Sequence, residues 1–354
     1  MNQKIKLFGT LDEFISYATK FPSSKFLICF GEDFNFSPKS LYERNIEYYA
    51  SLHPFIIYNY QRYENKMFCV VLDDMAKIEL VEDISSYDSN KKLDNLKSMI
   101  VFADALSNSL TPFLENLYEY TSLGVSIIGG GSGKKGFKKD DVIFYKDRSL
   151  KNAAIIVKFF EKIFYNVKHG WEYLDGPFVI SSSKDDIINE IDFKDARAFY
   201  KMTLERDLDT KIEDSDLLDL SRSYPLGIVQ YKQEFIVRDM ISFEDNKINL
   251  IGSITENSLI DILKGNKDTL IEATTQSAKE LKNMISDFDT AFIFDCISRE
   301  EYLKDSYEEN LLKLKKELSS DIVGVGTLGE FANHGTSYID ILNKTCVLGA
   351  SRCF

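Results

Sequence analysis

Twice along this chain an apolar run drives straight into a glycine-rich stretch, "SIIGGGSGKKGFKKDD" at 126–141 and "DIVGVGTLGE" at 321–330. Glycine frees the backbone for tight turns and close approach, so these two places restrict the fold more than any others. The first is not a phosphate cradle. A P-loop needs a glycine five residues before Gly-Lys and a hydroxyl residue after the lysine, where this chain has Ile128 and Lys135. Gly131, Gly133 and Gly136 spell G-x-G-x-x-G, but the strand-like "DVIFYKD" follows instead of the helix whose N-terminus would hold a pyrophosphate. The stretch reads as a turn between strands. In one reading Gly129 and Gly130 turn backbone N–H groups toward an anion, with Lys134, Lys135, Lys138 and Lys139 supplying charge; in the other it is a structural hairpin.

Strands and helices alternate irregularly elsewhere, which predicts a mixed α/β (α+β) fold. "KFLICFG" reads as a buried strand, 37–52 as a helix, and "MFCVVLDDMAKIELVED" as a hairpin around Asp73 and Asp74. After residue 192 the pattern restarts, with a helix at "DFKDARAFYKMTL", short strands, a long helix over 266–288, the strand "TAFIFDCIS", and one further helix over 299–320. At 354 residues the length allows about two cores. We expect strand-rich halves with flanking helices, 1–192 and 193–354, and a small-molecule cleft between them.

Composition narrows function mainly by exclusion. With 44% hydrophobic and 28% charged residues the chain reads as globular, and a net charge of −13 repels phosphate backbones. No apolar run approaches the roughly 18 residues of a membrane span, and the N-terminal stretch lacks a signal-peptide core, so a cytoplasmic protein is expected. The five cysteines lack C-x-x-C spacing, the three histidines form no H-E-x-x-H pair, and no G-x-S-x-G elbow occurs. No catalytic motif or metal site is expected.

Six short segments, taken in order, resemble the FIST family (F-box and intracellular signal transduction). They are "SIIGGGSG", "HGWEYL", "FIVRDM" with Arg238 and Asp239, "FDCISR" with Cys296 and Arg299, "GVGTLGE" with Gly329 and Glu330, and "ILNKT" with Asn343. Two departures stand out: "PFIIYNYQRYENKMF" replaces the family's small-residue stretch, and Leu342 occupies the position of its histidine. The resemblance implies N- and C-terminal FIST domains in a bacterial-type intracellular sensor. Such a sensor would bind a small molecule, an amino acid or similar carboxylate, and signal through a separate histidine kinase, cyclase or chemoreceptor.

The resemblance and the chemistry of the residues together give the candidate ligand contacts Arg299, Cys296, Glu330, Gly329, Gly129, Gly130, Asn343, Arg238 and Trp171. Arg299, at a strand-to-helix junction, can accept a carboxylate or pair with Glu300, Glu301 or Glu330. Glu330 can take a ligand ammonium or be a solvated turn residue. Cys296 is either a thiolate favoured by Arg299, the basis of a thiol-dependent enzyme reading, or a small buried apolar residue. Arg238 and Asp239 face opposite sides of a regular strand. His169 and Trp171, two apart on a strand, share a face and either line a pocket or pack in the core. No cofactor is expected; a haem-binding nitric-oxide sensor of the FIST type is the alternative, with His169 or His334 as axial ligand.

Overall fold

The computed structural model describes residues 4–72, 76–88, 95–119, 121, 124–230, 235–333 and 338–352. Its described strands form four sheets, three of them built alike. Each of these three centres on two parallel strands of seven residues: Lys25–Gly31 with Glu47–His53, Ser98–Asp104 with Ser126–Ser132, and Thr290–Cys296 with Asp321–Thr327. In every case helix joins the pair: Pro38–Tyr42, Leu110–Glu119, and Ile297–Leu303 followed by Ser306–Leu318. An antiparallel strand flanks the first member of each pair, namely Met67–Leu72, Ala154–Phe159 and Cys346–Ala350.

The second member is flanked by a strand handed over from another sheet. After Glu47–His53 in the first sheet, Ile56–Tyr58 pairs with Asp321–Thr327 in the third. After Asp321–Thr327, Glu330–Asn333 pairs with Ser126–Ser132 in the second. After Ser126–Ser132, Ile143–Tyr145 pairs with Glu47–His53 in the first. The exchange closes on itself, so the three sheets surround a pseudo-threefold axis. Equivalent positions of the three leading strands, Leu27 and Cys29, Ile100 and Phe102, Phe292 and Phe294, line one apolar cavity of about 20 Å³. The outer faces are covered by helices: Phe14 packs on Phe26, Leu110–Glu119 lies over Val101 and Ala103, and Lys267–Met284 with Ser306–Leu318 covers Ala291 and Ile293.

A fourth sheet runs in the order Phe235–Arg238, Leu226–Val229, Leu259–Lys264, Glu172–Lys184, Ile187–Ile191, Lys247–Leu250, Met240–Glu244. Helix Ala196–Leu208 packs on it through Phe199, Tyr200 and Leu204. The mixed class is as expected. The halves, however, interleave: the second, third and fourth sheets each take strands from both sides of residue 192.

Several local expectations change. Helix 37–52 stops at Tyr42, and Glu47–His53 is instead a central strand buried on both faces, Tyr48, Ala50 and Leu52 alternating with Tyr49, Ser51 and His53. Met67–Leu72 and Ala76–Val81 are strands but join different sheets, so they form no hairpin; Asp73 and Asp74 lie outside the described residues. The helix expected over 299–320 breaks at Lys304, whose φ is 51°.

The first glycine-rich stretch divides in two: residues 133–142 form the expected connection between the strands Ser126–Ser132 and Ile143–Tyr145, but the glycines before them are not in the turn. Gly129 and Gly130 lie inside Ser126–Ser132, paired on one side with Val101 and Phe102 and on the other with Phe331 and Glu330. Close packing is what requires them: a Cβ on Gly129 would stand 2.0 Å from the Val101 carbonyl oxygen, and one on Gly130 would stand 2.2 Å from the Thr327 methyl. Gly324, at the position equivalent to Gly129, would bring a Cβ within 1.8 Å of the Ile293 carbonyl oxygen. Because backbone cannot step aside as a side chain can, Gly129→Ala should cost at least about 1–3 kcal/mol, read from denaturant midpoints. An unchanged midpoint would contradict this packing.

Candidate functional site

The FIST-like positions of the second half converge inside the protein, but as a buried polar network in which only Arg299 Nε and Asn310 Nδ2 among the donors of that pair lack a partner among the described residues. Arg299 is 0% exposed and is the largest fully buried side chain. Its Nη1 donates to both Asp295 carboxylate oxygens, each at 3.1 Å. Its Nη2 donates to the Leu270 carbonyl at 3.0 Å, to Asn310 Oδ1 at 3.0 Å and to the Thr274 hydroxyl. Tyr307 donates its hydroxyl to the same Asp295 at 2.8 Å. The guanidinium therefore ties three helices to the strand Thr290–Cys296. It is turned neither toward a ligand carboxylate nor toward Glu300, Glu301 or Glu330, and Asp295 is the partner that sequence reasoning missed.

Glu330 is likewise no solvated turn residue. It is fully buried and accepts hydrogen bonds from the hydroxyls of Thr327 and Thr345 and from the Thr345 N–H at 3.2 Å. Burial pushes its carboxyl up to about 8 against the pull of those bonds. Gly329, with φ of 104°, makes the turn before it and accepts the Gly131 N–H at 2.8 Å. Cys296 is 2% exposed, and burial, helped by Glu330 and Asp239, pushes its thiol well above the usual range. The expected stabilisation of a thiolate by Arg299 fails because the guanidinium is committed to Asp295.

A second set fastens the fourth sheet to the other three. Arg238 ends its strand and donates to the carbonyls of Ile341 at 2.7 Å and Ser253 at 3.2 Å. Asp239 falls in the break before Met240–Glu244, so the two do not alternate along one regular strand, and both are buried. The Asp239 N–H donates to Asn343 Oδ1 at 3.0 Å, and its carboxylate pairs with Lys344 Nζ at 3.0 Å. Lys344, 0% exposed, also donates to the Arg222 carbonyl and lies 5.3 Å from the Trp171 ring centre. Trp171 donates its indole N–H to the Lys344 carbonyl at 2.9 Å and packs against Tyr302. Lys344 was missed; its place inside "ILNKT" was the only available signal. His169 and Trp171 do not lie along one strand, because Gly170 with φ of 79° turns the chain between them, and the Trp171 N–H donates to His169 Nδ1 at 3.0 Å. Burial draws the His169 imidazole down to about 4. His334 lies outside the described residues.

Groups with freedom to exchange partners lie elsewhere, at the C-terminal ends of the parallel strands. Arg62, Glu64, Lys135 and Glu300 are 25, 29, 34 and 17% exposed. Arg62 Nε lies 3.0 Å from Glu300 Oε1, while Glu64 pairs with both Arg62 and Lys135. The Lys135 N–H donates to Glu32 Oε2 at 2.8 Å, and the Arg62 guanidinium stands 4.6 Å from the Phe55 ring centre. Burial works to raise the Glu64 carboxyl, but hydrogen bonds from Lys135 and Arg62 outweigh it and hold it low; burial wins at Glu300 and raises it. All three sheets contribute: Glu64 packs on Gly31, Lys135 follows Ser132, and Glu300 follows Cys296.

Below this mouth, the last residues of the three second strands are His53, Ser132 and Thr327, each fully buried. His53 Nε2 lies 2.9 Å from the Ser51 hydroxyl and the ring also meets the Gly326 backbone, whereas Ser132 Oγ has no hydrogen-bond partner among the described residues. The Gly326 backbone does face His53 and tends to raise it, but burial dominates and draws the imidazole down to about 3. Nothing in the sequence marked His53 or Arg62, because only the three-sheet arrangement brings them to one end.

Two outcomes test the buried network. Arg299→Met leaves Asp295 buried without its counter-ion and should cost about 3–5 kcal/mol, whereas a solvated or ligand-facing arginine would cost little. Glu330 is neutral in the folded protein up to about pH 8 but ionises above about pH 4.5 when unfolded. Its contribution is complete below the lower value and is lost as pH rises through the upper one, by up to about 1.4 kcal/mol per pH unit. The stability difference between the parent chain and Glu330→Gln should therefore shrink from pH 5 to pH 8 in paired denaturant titrations, and a constant difference would refute the neutral carboxyl.

Compared with known families, residues 52–194 match the FIST N domain and residues 196–333 match the FIST C domain. No curated protein matches the chain. FIST domains are associated with sensing in signal transduction. Together the two matches span most of the sequence, and the chain belongs to the FIST family.

Proposed function

We propose that this chain is a sensory module that binds a small zwitterion or carboxylate, an amino acid or a close relative, at the mouth formed by Arg62, Lys135, Glu64 and Glu300, and signals through a separate partner protein. The observation that carries the reading is the mixture of charges there: two cations and two carboxylates, each between 17 and 34% exposed, at the strand ends of three sheets. The carboxyl ends of parallel strands are favoured ligand positions. A guanidinium and an ammonium match a ligand carboxylate, and the carboxylates match an ammonium. The mutual pairs of the mouth can be traded for ligand pairs without burying an uncompensated charge. Arg299 and Lys344, whose partners are buried with them, lack that freedom. Among the described residues no helix is long and apolar enough to cross a membrane.

The test is a thermal-shift and calorimetric screen of the full chain against the amino acids, small carboxylates and haemin. A ligand at a hundred times its dissociation constant adds about 2.7 kcal/mol and raises the melting temperature by several degrees. Arg62→Ala should weaken the hit at least about tenfold, since a hydrogen bond to a charged group contributes about 1.5–3 kcal/mol. A screen without hits, or a hit indifferent to Arg62→Ala, would overturn the assignment. A response to haemin alone, with a Soret band that His169→Ala removes, would favour the haem reading instead.

A further inference from the structure

The inner faces of the three sheets change character in one step along the axis. At the levels of Leu27 and Cys29 and their equivalents apolar side chains enclose the cavity of about 20 Å³, with the Ser51 hydroxyl, on Cys29 Sγ, as the polar exception beside it. Two residues further along the second strands, about 7 Å on, it becomes the polar ring of His53, Ser132 and Thr327. Beyond that lies the charged mouth. Ser132 Oγ sits at the polar level without a partner among the described residues, and a buried unpaired polar atom is unfavourable until something bonds to it. From outside to inside the order is charge, polar hydrogen-bonding groups, then an apolar void. A cavity of that size takes about one or two methyl groups and, lacking polar walls, gains nothing from water.

Resting on the reading of the mouth as the ligand site, we propose that the ligand enters tail-first. Its charged head pairs with Arg62 and Lys135, a polar atom completes Ser132, and a short aliphatic tail points down the axis toward Cys29, Phe102 and Val325. The class selected is a carboxylate or α-amino acid with an aliphatic tail of about three or four carbons, short enough for its end to be taken by a void of one or two methyl groups. Longer or aromatic tails exceed the void, and polar tails meet no partner in it.

The experiment is calorimetric titration of the full chain with two series: glycine, alanine, valine, leucine and phenylalanine, and the straight-chain carboxylates from acetate to octanoate. Affinity should rise about fourfold per methylene up to that length and then fall. Val325→Ile, which adds one methyl at the cavity wall, should lower the leucine-to-glycine affinity ratio, with retained cooperative unfolding showing that the variant is folded. Which series binds tells whether the ammonium is required. Binding that ignores tail length, or a ratio unmoved by Val325→Ile, overturns the tail-first proposal while the mouth assignment stands. If no member of either series binds, both are overturned.

Discussion

A parallel strand pair has to be covered on both faces, since its crossover helix can shield only one. This chain has three such pairs and meets the requirement by turning their uncovered faces toward one another. The outer faces go to the helices, the inner ones to the axis, where Leu27, Ile100 and Phe292 occupy equivalent positions. Handing each next strand to a neighbouring sheet makes every sheet depend on another for its edge. The tight contacts of Gly129 and Gly324 with the adjoining carbonyls follow from the same closure.

Closure also determines where charge can be used. Arg299, Asp295, Lys344, Asp239 and Glu330 lie where helices, the third sheet and the fourth sheet meet, out of reach of water. An ion there is tolerable only with its counter-ion and hydrogen bonds in place, so these residues act as fasteners. At the strand ends the layers diverge, and Arg62, Lys135, Glu64 and Glu300 keep contact with solvent. The residues most evocative of chemistry in the sequence are thus the least able to perform it, while Arg62, inside the stretch that departs from the family's pattern, stands at the opening.

Part of this was legible from local pattern. Runs such as "KFLICFG" and "TAFIFDC" are strands as they read, and the long helix expected over 266–288 forms as Lys267–Met284. Glu47–His53 reads as helix because it runs on from the helix start at Ser37 and Pro38, and because both its faces are buried, so that Tyr48, Ala50 and Leu52 are not set off by a solvent-facing row. The glycines of 129–131 were read as a turn because a missing side chain looks the same whether it permits a bend or the approach of a neighbouring strand. Arg299 presented the same ambiguity, since a guanidinium reads identically whether its carboxylate belongs to a ligand or to Asp295 four residues earlier on a strand end.

By itself the sequence determined the mixed class, most of the strands and helices, and membership of the FIST family, because these rest on short-range pattern and on the order of motifs. Only the tertiary structure decided that the halves interleave about a pseudo-threefold axis, that the glycines pack strands together, and that His53, Ser132 and Thr327 meet at one end. Those facts depend on which distant strands pair. Pairing is settled by closing an interior to which strands far apart in sequence each contribute one face, and no local stretch records its partner.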